Sequence, residues 1–130
     1  MAKNVAQVFV LIHVATAQLA GFYTLSAFSV RGTDLPEDIA RQLPRYPMIP
    51  ATMLGRLAVD QHHRGQGLGG VLLLNALRRA RDASRLVASV AVIVDAKNDQ
   101  ARSFYEHYQF QRFISDDYRL FLPMGVIKNV

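Results

Sequence analysis

The chain has 130 residues, 15 Lys and Arg against 10 Asp and Glu, and no cysteine. That length suits one domain, and with 51% apolar and 19% charged residues the composition excludes a disordered chain. Without cysteine there is no disulfide framework, no thiolate metal site and no cysteine nucleophile, as in a reducing cytoplasm. The net charge of +5 is mostly arginine, 12 Arg against 3 Lys. Guanidinium groups suit phosphate or nucleic acid, although an ordinary solubility charge explains the excess equally well.

Residues 5–30 are the most apolar stretch, and Gln7, His13 and Gln18 interrupt it before it reaches membrane-spanning length. It divides into strand-like runs at 5–14 and 19–30, joined by a weak turn over Ala15-Thr16-Ala17-Gln18. Two antiparallel strands are predicted there in preference to a membrane span or secretory signal. Residues 31–50 hold Pro36, Pro44, Pro47 and Pro50 and read as a surface connection. Within it, Asp34 is expected to cap a short helix with Pro36 in its first turn, and Pro44 to end it. Leu35, Ile39, Ala40 and Leu43 would share one face of that helix.

A third strand is predicted over residues 53–59 and a helix over 68–86. The apolar stripe of this helix is Leu72, Leu73, Ala76, Leu77 and Ala80. Arg78, Arg79, Arg81 and Arg85 lie off the stripe or near its end and read as a solvated face. Residues 87–94 are a nearly continuous apolar run, as expected of a strand covered on both faces. A second helix over 99–107 precedes strands at 110–113 and 118–122, which flank the turn Ser115-Asp116-Asp117. Strand–helix–strand connections make part of the sheet parallel, so residues 1–130 are expected to form one α/β domain with a mixed central sheet and flanking helices.

The segment Val59-Asp60-Gln61-His62-His63-Arg64-Gly65-Gln66-Gly67-Leu68-Gly69-Gly70 runs from a strand through a glycine-rich loop into a helix. The first amides of a helix have no internal partner, and the helix dipole adds positive potential beside them. Glycines let the backbone approach a ligand, and Arg64 can add a charge-assisted bond. Such a loop suits phosphate or pyrophosphate. Its spacing is neither that of a Walker loop nor that of a dinucleotide fingerprint. The bland alternative is a flexible turn.

This loop resembles the GNAT superfamily of acyl-CoA-dependent N-acyltransferases, whose signature is matched by Arg64-Gly65-Gln66-Gly67-Leu68-Gly69. A second family feature is matched by Asn98, Ala101 and Tyr105, followed by Phe110, with Gln109 where glycine is usual. A non-glycine residue in the left-handed conformation expected there costs about 1 kcal/mol. Gly21-Phe22-Tyr23-Thr24-Leu25-Ser26, Leu43-Pro44-Arg45-Tyr46-Pro47 and Leu54-Gly55-Arg56-Leu57-Ala58-Val59-Asp60 further resemble the acetyltransferase toxins of bacterial type II toxin–antitoxin modules. That fold usually begins with one more strand and one or two helices, which are expected to be absent before Met1.

The resemblance implies transfer of acetyl from acetyl-CoA to the α-amine of aminoacyl-tRNA, which blocks translation. A small-molecule or protein N-acetyltransferase, or a non-catalytic module binding acetyl-CoA or an antitoxin, are the alternatives. It further implies that Leu57, Ala58 and Val59 hold pantetheine through their backbone, and that the amides of Gly65, Gln66, Gly67, Leu68, Gly69 and Gly70, with Arg64, hold the pyrophosphate. Asn98 would contact the pantetheine arm. Tyr105 would be the general acid for the departing thiolate, whereas composition alone makes it a packing aromatic beside Phe104 and Phe110. Implied partners are acetyl-CoA, aminoacyl-tRNA, a cognate antitoxin and a second copy of the chain, in the cytoplasm and without a membrane. Arg31, Arg41 and Arg45 would join the helix arginines if these formed a tRNA surface. The four histidines show no ligand spacing for a metal and are expected to be solvated or loop residues. Asp116 and Asp117 read as a turn.

Overall fold

A computed structural model describes residues 6–43, 45 and 47–127 of the chain. The strands are β1 (Gln7–His13), β2 (Gln18–Val30), β3 (Ile49–Val59), β4 (Ala91–Asp95), β5 (Gln111–Arg112) and β6 (Arg119–Pro123). The helices are α1 (Glu37–Ala40), α2 (Leu68–Ala83), α3 (Asp99–His107) and α4 (Met124–Ile127). The strands form one sheet in the order β1-β2-β3-β4-β6-β5, antiparallel everywhere except between β3 and β4. The expected mixed α/β sheet is what the chain builds.

Strand alternation sorts the side chains into two layers. Tyr23, Leu54, Val92, Val94, Leu120 and Leu122 meet the α2 stripe of Leu72, Leu73, Ala76, Leu77 and Ala80, together with Tyr105 of α3. Val30, Ile49, Ala51, Ala91, Ile93 and Phe121 pack with Leu35 and Phe113 in a second cluster. β4 contributes to both clusters and is buried from Ala91 to Val94, which is why its sequence is apolar without alternation. Among the described residues no helix is long and apolar enough to cross a membrane.

Several boundaries differ from expectation, each for a local reason. The start of β1 expected at Val5 lies outside the described residues, as does Pro44. β3 starts at Ile49, four residues earlier than predicted. Pro50 disguised this start, yet a missing donor is tolerated near a strand's beginning, and the Pro50 carbonyl accepts from Val90 N–H at 2.9 Å. Asp34 does not cap α1, whose N-cap position is Pro36 without a side-chain bond. Asp34 instead closes a 3-10 turn, and its carboxylate accepts from the Ser115 hydroxyl at 3.3 Å. α2 stops at Ala83, where the Ser84 hydroxyl donates to the Arg81 carbonyl at 2.6 Å. Leu86 and Val87, expected in a helix and a strand, are 91% and 75% exposed in the connection that follows. The single turn α4, not foreseen, buries Met124 and Ile127.

Candidate functional site

The sheet opens beside β3. β3 and β4 pair only over Thr52, Met53 and Leu54, and β4 ends at Asp95 before the chain turns into α3. On the other edge, Leu25 pairs with Leu54 but Tyr23 with Leu57, so β3 carries one extra residue. This bulge falls at Gly55-Arg56. Arg56 N–H bonds the Thr24 hydroxyl at 3.0 Å, and a Cβ on Gly55 would lie 2.8 Å from that oxygen. A bulge bends its strand, and it resets alternation so that Leu54 and Leu57 both meet the α2 layer. From Gly55 to Val59 the far edge of β3 has no paired strand among the described residues.

Leu57, Ala58 and Val59, expected to act together, are separated by the register. Asp60 N–H bonds the Ala20 carbonyl at 2.7 Å. By alternation Ala58 also turns its peptide groups toward β2, whereas Leu57 and Val59 turn theirs into the opening.

The loop after β3 is held by Asp60. Its carboxylate accepts from His62 N–H at 3.0 Å and lies 3.3 Å from His63 Nδ1. The His62 N–H, more than His63, holds this carboxyl below its usual range. Gly65 and Gly67 have φ of +83° and +73°, and a Cβ on either would meet nothing within 4 Å. The demand for glycine there is torsional, not steric. Gly67 is the N-cap of α2, and the helix's first bond runs from Val71 N–H to the Gly67 carbonyl at 3.3 Å. The N–H groups of Leu68, Gly69 and Gly70 therefore have no partner within the helix, and among the described residues no side chain caps them.

α3 closes the far side of this loop. A Cβ on Gly69 would lie 3.4 Å from the Phe104 ring, and one on Gly70 would overlap the Tyr108 hydroxyl. Together these residues, Val59, His63, Arg64, Gly65, Gly67 and Leu68 line a cavity of about 270 Å³. Arg64 is exposed and forms no ion pair among the described residues. Of the expected pyrophosphate residues only Gln66 stays off the lining. Phe104 and Tyr108 were not anticipated, although aromatic residues four apart on a helix mark one face. A larger cavity of about 1040 Å³ lies where Gln7 and Phe9 of β1 approach the end of α2. It contains no glycine loop, so volume alone does not identify the site.

Asn98, Leu57, Ala58 and Tyr105 do not line the loop cavity. Asn98 is exposed and caps α3, its Oδ1 accepting from Ala101 N–H at 2.8 Å. Tyr105 is buried, edge-on to Phe104 at 5.2 Å and 5.4 Å from Phe110. Its hydroxyl has no hydrogen bond among the described residues, and burial pushes the phenol up to about 12. Gln109 takes φ +77°, the left-handed cap expected of glycine, and Phe110 N–H closes on the Tyr105 carbonyl at 3.2 Å.

The structure adds partners to two other groups of residues. His63 is a loop residue, as expected, yet only 8% exposed, and His13 lies beside it with ring centroids 5.5 Å apart. Arg78, Arg79 and Arg85 are exposed, as expected of a solvated face, but not all the helix arginines are without partners. Arg79 donates to the Tyr23 hydroxyl at 2.8 Å and covers the Phe9 ring at 4.2 Å, while Arg81 and Arg85 both pair with Asp82.

The Acetyltransferase (GNAT) domain family matches residues 6–112. A tRNA-acetylating toxin of Mycobacterium tuberculosis is 37% identical over 107 residues, which are 82% of this chain and 63% of that protein. The chain thus spans less than two thirds of that relative's length. AtaT complexed with acetyl-methionyl-tRNAfMet has a TM-score of 0.89 at 29% identity, over 97% of this chain and 75% of that one. AtaTR bound with AcCoA has a TM-score of 0.82 at 29% identity, over 97% and 74% of the two chains. With the motif, the open β3 edge and the glycine loop in one place, the chain belongs to the GNAT acetyltransferase family and is related to its tRNA-acetylating toxins.

Proposed function

We propose that this chain transfers the acetyl group of acetyl-CoA to the α-amine of aminoacyl-tRNA, and so acts as a toxin that blocks translation. The observation that carries this reading is the row of unpaired amides at the start of α2 behind Gly65 and Gly67, in a chain related to a tRNA-acetylating toxin. Those amides and Arg64 would hold the pyrophosphate. The peptide groups of Leu57 and Val59, free on the open edge, would pair with pantetheine and polarise the thioester carbonyl. Asn98 keeps its amide N–H₂ for the pantetheine arm while its Oδ1 caps α3.

In the reaction the amine nitrogen attacks the acetyl carbonyl carbon, the C–S bond breaks, and the amide is left after the nitrogen loses a proton. The sulfur leaves as a thiolate and takes a proton from the Tyr105 hydroxyl, while the nitrogen's proton passes to water and the phenolate is reprotonated from water. A phenol at about 12 is less acidic than a free thiol near 8.5, a gap of about 3.5 pH units or about 5 kcal/mol. The same apolar surroundings raise the thiol, so the gap narrows where the transfer takes place. Among the described residues no general base is hydrogen-bonded to this phenol, and Glu106 is engaged by Arg112 at 2.9 Å. An α-amine near 8 is partly neutral at pH 7, whereas a lysine near 10.4 is almost wholly charged. That preference supports aminoacyl-tRNA as acceptor. Arg31, Arg45 and Arg78 are exposed without ion pairs among the described residues and suit the tRNA backbone. The reading extends to a cognate antitoxin, a second copy of the chain and a cytoplasmic setting.

The test is thiol release from acetyl-CoA with and without charged tRNA. Wild type releases thiol only with charged tRNA, and Tyr105→Phe lowers kcat by about 10²–10⁴-fold with little change in KM. Equal rates in both proteins, or no release in either, would count against it.

A further inference from the structure

We infer that His63 contacts the diphosphate of the coenzyme as an imidazolium, so that binding takes up a proton. This rests on the coenzyme reading of the loop and adds a charge that the backbone amides lack. His63 lines the loop cavity beside Arg64 and the glycines, yet is only 8% exposed. Its Nδ1 is 3.3 Å from Asp60 Oδ2, and the Asp60 carboxyl is held in its ionised form. The carboxylate accepts, so the Nδ1 proton stays in place and Nε2 is the second ring nitrogen to account for.

Nε2 has no hydrogen bond among the described residues. No buried side-chain nitrogen or oxygen lacks a partner there either, so Nε2 is open. In a neutral ring it presents a lone pair, which repels a phosphate oxygen. In the imidazolium it presents an N–H, which donates to that oxygen. A diphosphate therefore selects the protonated ring, and affinity rises as the pH falls.

The groups around the ring fit this assignment. From the same loop come Asp60, His62 and Arg64, and from β1 comes His13, whose Nδ1 is 3.2 Å from the Thr16 hydroxyl. α3 presents Tyr108, while α2 and β3 bring only Leu68, Gly69, Gly70 and Val59, without charge. Asp60 is thus the single acid facing His63 in this cluster, and it sits on Nδ1 rather than on Nε2.

The experiment is calorimetric titration with 3′-dephospho-CoA, which keeps the diphosphate and lacks the 3′-phosphate that would titrate near neutrality. It is run across pH and in two buffers of different ionisation heat. Wild type is expected to bind about tenfold tighter near about pH 5.5 than near about pH 8.5, with proton uptake. His63→Gln and His63→Phe, checked for folding by circular dichroism, lose the pH dependence and keep the weaker affinity of wild type at high pH. His62→Gln and His13→Gln retain it. Flat wild-type affinity without proton uptake would overturn the inference, as would loss of the uptake in His13→Gln but not in His63→Gln. Absence of binding at every pH would overturn the coenzyme reading as well.

Discussion

Gly67 offers a clean separation of torsional from steric demand. Its φ is +73°, and a Cβ added there would meet nothing within 4 Å. Gly67→Ala therefore introduces only left-handed strain, about 1–2 kcal/mol, part of which is offset by the stiffer unfolded chain. A net loss of about 1 kcal/mol lowers Tm by about 3–5 °C in a protein of this size. Gly67→Asn should lose about half as much, because asparagine tolerates the left-handed region. Gly67→Val cannot keep that torsion and should rotate the α2 amides away from the ligand, weakening coenzyme affinity about tenfold or more. Gly125 is the internal control, since a Cβ there also meets nothing within 4 Å but no positive φ is involved. Gly125→Ala should leave Tm unchanged or raise it slightly. Thermal denaturation followed by circular dichroism, with coenzyme titration of each variant, reads both effects. Wild-type Tm and affinity in Gly67→Val would show that neither stability nor coenzyme binding depends on the left-handed torsion at residue 67.

Three further outcomes are expected. Gly21→Ala places a Cβ 2.7 Å from both the Ala58 carbonyl and Leu72 Cδ1; backbone cannot yield, so urea denaturation should show a loss of about 1–3 kcal/mol. Asn98→Ala removes the α3 cap and should cost about 1 kcal/mol, whereas Asn98→Asp keeps the cap and, with its amide gone, should raise the KM for acetyl-CoA. Tyr105 is raised to about 12 in the folded chain against about 10 unfolded, so above pH 10 the unfolded state loses a proton that the native state keeps. That contribution is fully present below about pH 10 and is lost as the pH rises toward 12, by at most about 1.4 kcal/mol per pH unit. Tyr105→Phe should therefore show a shallower fall in stability than wild type when denaturation is followed from about pH 9 to about pH 11.

Periodicity made the layers of this protein legible. The α2 stripe and the uninterrupted β4 run report burial directly, and all five α2 stripe residues and Ala91 to Val94 are buried. What sequence misassigned was apolar residues without a layer to join, such as Leu86 and Val87, and a strand start hidden behind Pro50. The glycine loop was legible because its demand is local: unpaired helix amides and positive φ at Gly65 and Gly67 follow from a few consecutive residues. The bulge at Gly55-Arg56 was not, since it exists only in the register between β2 and β3. For the same reason Ala58 could not be told from Leu57 and Val59. His63 is the loop residue expected, but its burial was not legible, because it depends on α2, on α3 and on His13 of a distant strand. Arg79 is exposed as expected, but its contacts with Tyr23 and Phe9, far away in sequence, were not legible.

On the proposed reading, the amides opening α2 grip the diphosphate. The most direct measurement follows backbone amide resonances by NMR while coenzyme A is added. The largest shifts are expected at Gly65, Gly67, Leu68, Gly69 and Gly70, with Leu57 and Val59 moving and Ala58 moving less. Shifts confined to the groove around Phe9, Leu25 and Arg79, with the loop amides unmoved, would contradict it.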